Sequence, residues 1–571
     1  GVLAVLGVGV LFTVWSGFGQ YRALTHGTAV VRGKFDDKGD PGAINHFQAL
    51  STALSATVGL GNVAGVAIAI SIGGPGALFW MWVVGIVGMA LKMTEVTQSM
   101  LFRDTSDPNN PHGGPMWVAR RGFAALNPAL APLGTIVGGI FCLTLLVSTI
   151  TGGNMFQAWN VADISFTYFG VPQWIAGLVL TLAVGAVIVG GIRRIGEVAG
   201  RIVPFMCGVY VLAALFVVIA NIGEVPAVFA LIFVEAFSPS EGAGAFIGGT
   251  AGYGFLKGMQ RALFSSEAGQ GSAPIAHSAA KTDEPVREGV VAGLEPFIDT
   301  LVVCTLTGLV ILLSGAWNRA PALVYDTAPD IAPVVANGAP VLTAGGLQEW
   351  QVEPVRLRIA DEVEARSQMR EGGIVFLIVE AGVNAETGMA RHRVFGELRG
   401  SEAVGWTADF DRFSLPRGDV PKIAVEGVYF DLKGATLTAK SFDRVLPGLG
   451  IWIVPLTAWL FAFSTIISWS YYGEQGIVYL LGQRAVMPYR VVYCLLILVS
   501  VQLVRTQDQL DLFSTFGTGV MLWANIPIML LFGPMAMRAY RGYFARYRGG
   551  EMEPAHAAPR WADVIGGKDV R

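Results

Sequence analysis

The chain has 571 residues, of which 53% are hydrophobic and 14% charged, and its formal net charge is −3. Soluble domains carry about 25% charged residues. With a mean hydropathy of +0.55, this composition is typical of a multi-pass membrane protein. The small negative charge and the lack of a long basic run argue against a nucleic-acid partner. All four cysteines lie in apolar segments, which predicts packed thiols, not disulfides or a metal site.

A membrane-spanning helix needs about 20 apolar residues. Eleven segments meet this need, at 1–19, 47–71, 76–100, 131–156, 173–192, 198–220, 246–268, 293–316, 448–472, 487–504 and 511–535. They predict an all-α membrane protein with about 11 transmembrane helices and with its termini on opposite sides of the membrane. Residues 1–15 could also be the core of a signal peptide, but we expect a membrane helix.

The basic residues of the loops predict the orientation, because Lys and Arg near the ends of spans stay cytoplasmic. Loops 20–46, 101–130 and 193–201 carry such residues, whereas loops 157–172 and 221–245 carry none. The chain is therefore expected to lie in the inner (plasma) membrane of the cell, with its N-terminus outside. The tail, residues 536–571, is expected in the cytoplasm.

Residues 318–445 differ from the rest, since about a quarter of them are charged, as in a soluble module. Short β-branched and aromatic runs bounded by Gly, Pro or Asp predict a small β-rich domain there. It separates the membrane regions 1–317 and 446–535, and the span count places it outside the cell. Because the insert contains no nucleophile–base pair and no metal-ligand spacing, we expect a structural or docking role, with an unknown partner.

The second apolar segment is interrupted at "SATVGLGN", where Gly59, Gly61 and Asn62 are poor residues for the middle of a helix. A break at membrane depth frees carbonyls that attract a cation. It also exposes a helix N-terminus that attracts a carboxylate. The alternative is close helix packing, because Gly61 and Gly65 have the Gly-x-x-x-Gly spacing. The segment alone supports both readings.

A second interrupted span favours the binding site. Transporters built from inverted repeats pair two broken spans, one in each half. After the first span, ten remain, and the first of each five is interrupted, at 47–71 and at 246–268. The second of these leads into "SSEAGQG". Hydropathy and glycine positions therefore predict a five-plus-five inverted repeat with one extra helix.

Further polar side chains lie within the predicted spans. Ser464 and Thr465 are adjacent hydroxyls that either bond back to their own helix or complete an oxygen cage for Na⁺. Trp469 lies one turn beyond Thr465, as an aromatic lid or a core residue. Gln157 lies at the end of its span, where its amide could reach a substrate or water.

Several charged residues lie toward the predicted cytoplasmic side. For Lys92 and Glu95, three residues apart, a local ion pair is expected rather than a proton relay. Glu267 and Glu474 are expected to be structural or gating groups, and Asp299 is a further intramembrane carboxylate.

Four motifs carry a resemblance to a known family: "FQALSTALSATVGLGNVAGVAIAISIGGPGALFWMW", "HGGPMW", "RALFSSEAGQGSAPIAHSAAKTDEPVREG" and "FAFSTIISWSYYGE". In this order they resemble the alanine or glycine:cation symporter family, over about 20–316 and 446–535. The resemblance implies a leucine-transporter-type fold. It also implies Na⁺-driven import of small neutral amino acids, alanine and glycine above all, with H⁺ replacing Na⁺ in some members.

The resemblance also implies residue roles. The substrate would contact residues of the first broken helix, an amide and two aromatic walls: Leu60, Gly61, Asn62, Gln157, Phe264 and Trp469. The Na⁺ ion would contact two carbonyls, of Ser55 and Val58, and two hydroxyls, of Ser464 and Thr465. A pocket bounded by Phe and Trp suits an alanine-sized side chain, since each extra methylene must find room.

The chain departs from the family pattern at three positions. Leu60 replaces the usual Thr, which removes a hydroxyl and puts the specificity in doubt, while Ser266 and Gln270 make the predicted inner gate more polar. The insert falls where the family has a short outer connection. No catalytic constellation appears, so an enzyme is not expected. The alternative to a symporter is a transporter-like amino-acid sensor that signals through the insert.

Overall fold

The structure is a computed structural model. It describes residues 2–37, 39–242, 244–336, 338–361, 365, 368–385, 387–432, 434–504, 507–552 and 559–565. Helices dominate it outside the insert.

Sixteen α-helices precede the insert in the described residues, together with four segments of π-helix. The α-helices are α1 (Val2–Trp15), α2 (Gly19–Arg22), α3 (Thr28–Val31), α4 (His46–Thr57), α5 (Val66–Gly73), α6 (Gly76–Phe102), α7 (Pro115–Leu126), α8 (Ala131–Ser148), α9 (Phe156–Phe169), α10 (Gln173–Ile188), α11 (Gly191–Ala220), α12 (Val225–Glu235), α13 (Ala251–Ser266), α14 (Ala273–His277), α15 (Pro285–Ala292) and α16 (Thr305–Leu313). The π-helical segments are Ala23–Gly27, Gly61–Gly65, Thr149–Met155 and Phe297–Cys304.

Five helices follow the strands of the insert in the described residues, and the first of them lies within the predicted insert bounds 318–445. They are α17 (Ala435–Val445), α18 (Leu449–Leu481), α19 (Val486–Leu503), α20 (Gln507–Arg548) and α21 (Trp561–Ile565).

Helices occur at all eleven predicted spans. Among the described residues, seven helices are long and apolar enough to cross a membrane, and two bent pairs raise the number to nine. The other two predicted spans coincide with α10 and α13, each of 16 residues. Helix α13 is short because the chain turns sharply after Ser266. The multi-pass helical architecture predicted from hydropathy is thus confirmed.

The predicted interruption of the second span is present. Helix α4 and the following helical segment Gly61–Gly73 meet at an angle of 49°. Asn45 begins α4 with a capping box, in which its side chain accepts a hydrogen bond from the Gln48 N–H. At the other end Val58 leaves helical geometry, with φ −77° and ψ 87°. The cap and the break together fix where this half-helix starts and stops.

The insert is β-rich, as predicted. Its described residues form a seven-stranded antiparallel sheet of β3 (Leu323–Tyr325), β8 (Val355–Ile359), β9 (Ile374–Glu380), β10 (Arg391–Ser401), β11 (Gly405–Phe410), β13 (Lys422–Ile423) and β14 (Tyr429–Phe430). The other strands there are β4 (Ile331–Pro333), β5 (Val335–Ala336), β6 (Ala339–Pro340), β7 (Gln348–Val352) and β12 (Phe413–Leu415). A short ribbon of β1 (Ser240–Glu241) and β2 (Gly248–Gly249) precedes α13.

The insert contacts the membrane helices near the broken span. Arg393 of β10 donates from one nitrogen to the carbonyl oxygens of Ser71 and Ala245, at 3.0 and 2.8 Å. The N–H of Thr250, the N-cap of α13, donates to the Thr387 oxygen at 3.0 Å. The insert therefore bonds to the end of α5 and to the segment that leads into α13.

Candidate functional site

The break between α4 and α5 is closed by the Asn62 side chain. Its Oδ1 accepts a hydrogen bond from the Gly59 N–H at 2.8 Å. Its Nδ2 donates to the Asp299 carbonyl oxygen at 3.1 Å and contacts the Cys304 sulfur at 3.3 Å. The amide predicted to contact substrate thus has both ends bonded within the protein, and it ties the break to the π-helical segment Phe297–Cys304.

The predicted cation ligands largely converge. The Thr465 hydroxyl donates to the Ser55 carbonyl oxygen at 2.9 Å, and the Ser464 hydroxyl lies 3.5 Å from the same oxygen. Ser464 also donates to the Phe461 carbonyl of its own helix at 2.9 Å. Helices α4 and α18 therefore present three neutral oxygens in one place, and hard cations such as Na⁺ take oxygen ligands. Val58, the fourth predicted ligand, is the C-cap of α4, three residues beyond Ser55.

A small cavity lies beside this oxygen cluster. Its volume is about 20 Å³, and such a space holds about one water molecule. Four of the predicted substrate residues line it: Gly61, Gln157, Phe264 and Trp469. The walls must therefore move before an amino acid can enter.

Leu60 and Asn62 are the two predicted substrate residues that do not line the cavity. Leu60 is fully buried in the hydrophobic cluster that contains Val58 and Phe156. Gly59 and Gly61, on either side of Leu60, do line the cavity.

Gln157 brings an unused acceptor to the cavity. Its Nε2 donates to the Gly152 carbonyl oxygen at 3.3 Å, whereas its Oε1 is buried and has no hydrogen-bond partner among the described residues. Buried polar atoms rarely remain unpaired, so an orphan acceptor in a cavity wall indicates a missing donor.

Polar residues that sequence reasoning did not assign to the site also line the cavity: Thr57, Ser148, Ser265, Glu267, Gln270 and Thr518. One of these residues is Glu267, which the sequence predicts to be a structural or gating group. Its Oε1 accepts a hydrogen bond from the Trp469 indole N–H at 3.0 Å, and its Oε2 accepts from the Ser272 hydroxyl at 2.5 Å. The motif "SSEAGQG" signals that the half-helix ends there, but not that Glu267 lines the cavity.

The backbone at Glu267 is strained. It has φ +52°, and only one other non-glycine residue of the described chain, Phe18, has a positive φ. This conformation costs a residue with a side chain roughly 1–2 kcal/mol. Such strain clusters at functional sites.

A network of buried charges lies next to the cavity. Lys92 pairs with Glu295 at 3.2 Å, not with Glu95 as expected from spacing. The Nε2 atom of His277 lies 2.7 Å from a carboxylate oxygen of Glu295, and its Nδ1 atom contacts a carboxylate oxygen of Glu288. Helices α6, α14 and α15 are thus joined by ionisable groups that sequence spacing could not pair. Glu474 instead pairs with Arg490 at 2.7 Å.

A larger cavity of about 660 Å³ lies on the other side of Phe264 and Thr518, which line both spaces. Helices α1, α5, α13 and α20 form it. Its walls are mainly apolar, with Lys257, Gln260 and Arg261 along one face of α13. The ring of Phe264 packs against Phe156, with centroids 4.9 Å apart, and separates the two spaces.

Comparison with known proteins identifies relatives over nearly the whole chain. A family model described as the sodium:alanine symporter family matches residues 2–328 and 422–557. The sodium/alanine symporter AgcS of Methanococcus maripaludis is 35% identical over 494 residues, 86% of this chain and 83% of that protein. A putative sodium/proton-dependent alanine carrier, YrbD of Bacillus subtilis, is 28% identical over 95% of this chain and 89% of that protein.

Two solved transporters are similar at low identity. MhsT in complex with L-phenylalanine is 12% identical, with a TM-score of 0.42, over 92% of this chain and 96% of that chain. A manganese transporter of Eremococcus coleocola is 10% identical, with a TM-score of 0.43, over 93% of this chain and 87% of that chain. The relatives are named as transporters, symporters and carriers, and they lend no support to a sensor. The 329–421 stretch that the family model leaves unmatched lies within the β-rich insert.

Proposed function

The chain belongs to the sodium:alanine symporter family, and we propose that it imports small neutral amino acids, alanine and glycine above all, together with Na⁺. The observation that supports this most is the contact between α4 and α18. There, the Thr465 hydroxyl reaches the Ser55 carbonyl oxygen at the edge of the helix break. A cation bound at these oxygens would join two helices that belong to different halves of the repeat.

The substrate would bind in the small cavity. Its carboxylate would face the N-terminus of the helical segment Gly61–Gly73, where backbone N–H groups and the helix dipole favour an anion. Its amino group would donate to the unpaired Oε1 of Gln157. Phe264 and Trp469 line the cavity and would enclose the side chain. Each extra methylene must find room between them, which would favour hydrogen or methyl.

Asn62 and Leu60 would then act indirectly. Asn62 would hold the break in shape through Gly59 and Asp299. Leu60 would pack behind the site. Both proposals follow from the positions of these side chains outside the cavity lining.

Transport would need the walls to open in turn. The larger cavity beyond Phe264 would serve as one access route, and movement of Phe264 would connect it to the small cavity. We infer that the five-helix sets of the inverted repeat rock against each other around the cation and the substrate.

The proposed topology follows from loop charge. The protein would lie in the plasma membrane with the N-terminus outside, residues 536–571 in the cytoplasm and the insert 318–445 outside. The membrane regions would be 1–317 and 446–535. Labelling of single cysteines placed in the insert and in the tail, from outside intact cells, would test this arrangement.

Counterflow in proteoliposomes tests the function. Vesicles preloaded with unlabelled alanine or glycine should accumulate labelled alanine in Na⁺ buffer and much less in choline buffer. Preloading with leucine or phenylalanine should give little exchange. Equal counterflow in Na⁺ and choline would refute Na⁺ coupling, and uptake driven by a pH gradient without Na⁺ would assign the coupling to H⁺.

A further inference from the structure

We propose that Glu267 binds the ammonium group of the substrate and thereby restricts the site to amino acids over hydroxy acids of the same shape. This inference rests on the proposed function. In the proposed site, Phe264 and Trp469 limit the size of the substrate side chain. Glu267 would add a requirement for a positive charge on the substrate.

The position of the carboxylate carries the proposal. Glu267 is 3% exposed, and it lines the small cavity with Gln157 and Trp469. The indole of Trp469 and the hydroxyl of Ser272 each donate to a different carboxylate oxygen. An ionised carboxylate accepts about four hydrogen bonds, so two fixed donors orient the group and leave capacity for a third.

The charge balance of the cavity supports the same role. Its lining includes neither Lys nor Arg among the described residues, so Glu267 is the formal charge on the wall. The buried Lys92 makes its ion pair with Glu295. A buried carboxylate in contact with a binding cavity is stabilised by a cation that enters there.

The chemistry of an ammonium group fits the acceptors present. An ammonium has three N–H donors and no acceptor. Glu267 and the unpaired Oε1 of Gln157 are both acceptors, and they line the same space of about 20 Å³. A hydroxyl in the same place supplies one donor and no charge, so it would leave acceptors unpaired.

The backbone is consistent with a functional constraint. Glu267 ends α13, where its N–H donates to the Leu263 carbonyl at 3.1 Å in the left-handed conformation usually taken by glycine. Glycine would relieve the strain at this position but would remove the carboxylate. A side chain in this conformation indicates that the carboxylate does something that glycine cannot do.

A purely structural role is the alternative, because the same hydrogen bonds also hold Trp469. The two roles differ in one measurable quantity, the affinity ratio of L-alanine to L-lactate. Lactate has a hydroxyl in place of the ammonium and otherwise the same shape. Loosening the pocket should weaken both ligands alike, whereas loss of the ammonium partner should weaken alanine alone.

The test measures displacement of labelled alanine from the purified full-length protein in Na⁺ buffer, by alanine and by lactate. A charge-assisted hydrogen bond corresponds to roughly a 10- to 100-fold change in affinity. Glu267→Gln should therefore lower alanine affinity about 10- to 100-fold and bring the alanine-to-lactate ratio close to one. Ser272→Ala is the matched control, because it removes a partner of the same carboxylate but keeps the charge, and its ratio should stay at the wild-type value.

Each outcome bears on the proposal. If a folded Glu267→Gln protein keeps the wild-type alanine-to-lactate affinity ratio, the proposal is overturned. The same holds if this variant loses Na⁺ dependence but keeps that ratio. If Glu267→Gln fails to fold, Glu267→Asp decides, because it withdraws the carboxylate by one methylene: a fall in alanine affinity larger than the fall in lactate affinity supports the proposal, and an unchanged ratio contradicts it. A wild-type protein that binds neither alanine nor glycine would instead contradict the proposed function.

Discussion

Gly59 offers a sharp test of the proposed cation site, because its missing side chain makes room for a ligand. A Cβ built on Gly59 would lie 2.7 Å from the Thr465 hydroxyl oxygen and 3.6 Å from Oε1 of Gln157. The first distance is about 0.7 Å short of the 3.4 Å at which ordinary contact begins. The backbone of Gly59 does not have a positive φ, so Gly59→Ala acts through the added methyl group alone.

The size of the effect on Na⁺ affinity follows from the hydrogen bond that the Thr465 hydroxyl must lose. Thr465 sits in the long helix α18, so its oxygen can retreat mainly by rotating about χ1, which breaks the 2.9 Å bond to the Ser55 carbonyl. A net intramolecular hydrogen bond contributes about 1 kcal/mol. Since the same oxygen is a proposed Na⁺ ligand, the half-saturating Na⁺ concentration should rise roughly fivefold or more.

Alanine uptake into proteoliposomes, measured across a series of Na⁺ concentrations, checks this expectation. Gly208→Ala is the control, because Gly208 lies in helix α11 with nothing within 4 Å of the added carbon. It should keep the wild-type Na⁺ dependence and gain up to about 1 kcal/mol of stability from better helix propensity. A wild-type Na⁺ dependence in Gly59→Ala would refute the placement of the cation beside Thr465.

Three further changes test other parts of the site. Gly153→Ala would place a Cβ 2.4 Å from the Trp469 ring, so alanine affinity in the binding assay should fall about tenfold or more while expression persists. Glu295→Gln would leave the buried Lys92 charge without its partner, and thermal unfolding in detergent should show a loss of about 3–5 kcal/mol. Leu60→Thr should cost roughly 1–3 kcal/mol by the same measurement, with alanine-to-valine selectivity unchanged; altered selectivity would place residue 60 on the pocket wall.

Hydropathy predicted the helices well because burial in lipid leaves a long, continuous apolar signal. The break near Gly59 was also readable, since glycines and an amide interrupt that signal over a few residues. The strands of the insert were predicted for a similar local reason. Ile374–Glu380 is a β-branched run, and residues 375–379 are buried in the sheet.

The pairing of charges could not be read in the same way. Lys92 and Glu95 have the spacing of a helix ion pair, but both are buried, and Lys92 turns to Glu295 on another helix. Glu95 instead accepts from Asn525, 430 residues away. Most buried polar groups find a partner, and that partner is set by how the helices pack, which one sequence does not encode locally.

The same reasoning explains the family departure at Leu60. Read from the sequence, Leu60 lies between two glycines of the break, and the loss of the hydroxyl of the family's Thr is expected to affect substrate specificity. In the structure, glycines 59 and 61 line the cavity, and the π-helical segment Gly61–Gly65 begins there. Leu60 is buried in the apolar cluster that also contains Val58 and Phe156. At the helix break, neighbours in sequence thus lie in different surroundings, Leu60 in the apolar cluster and Gly61 on the cavity wall.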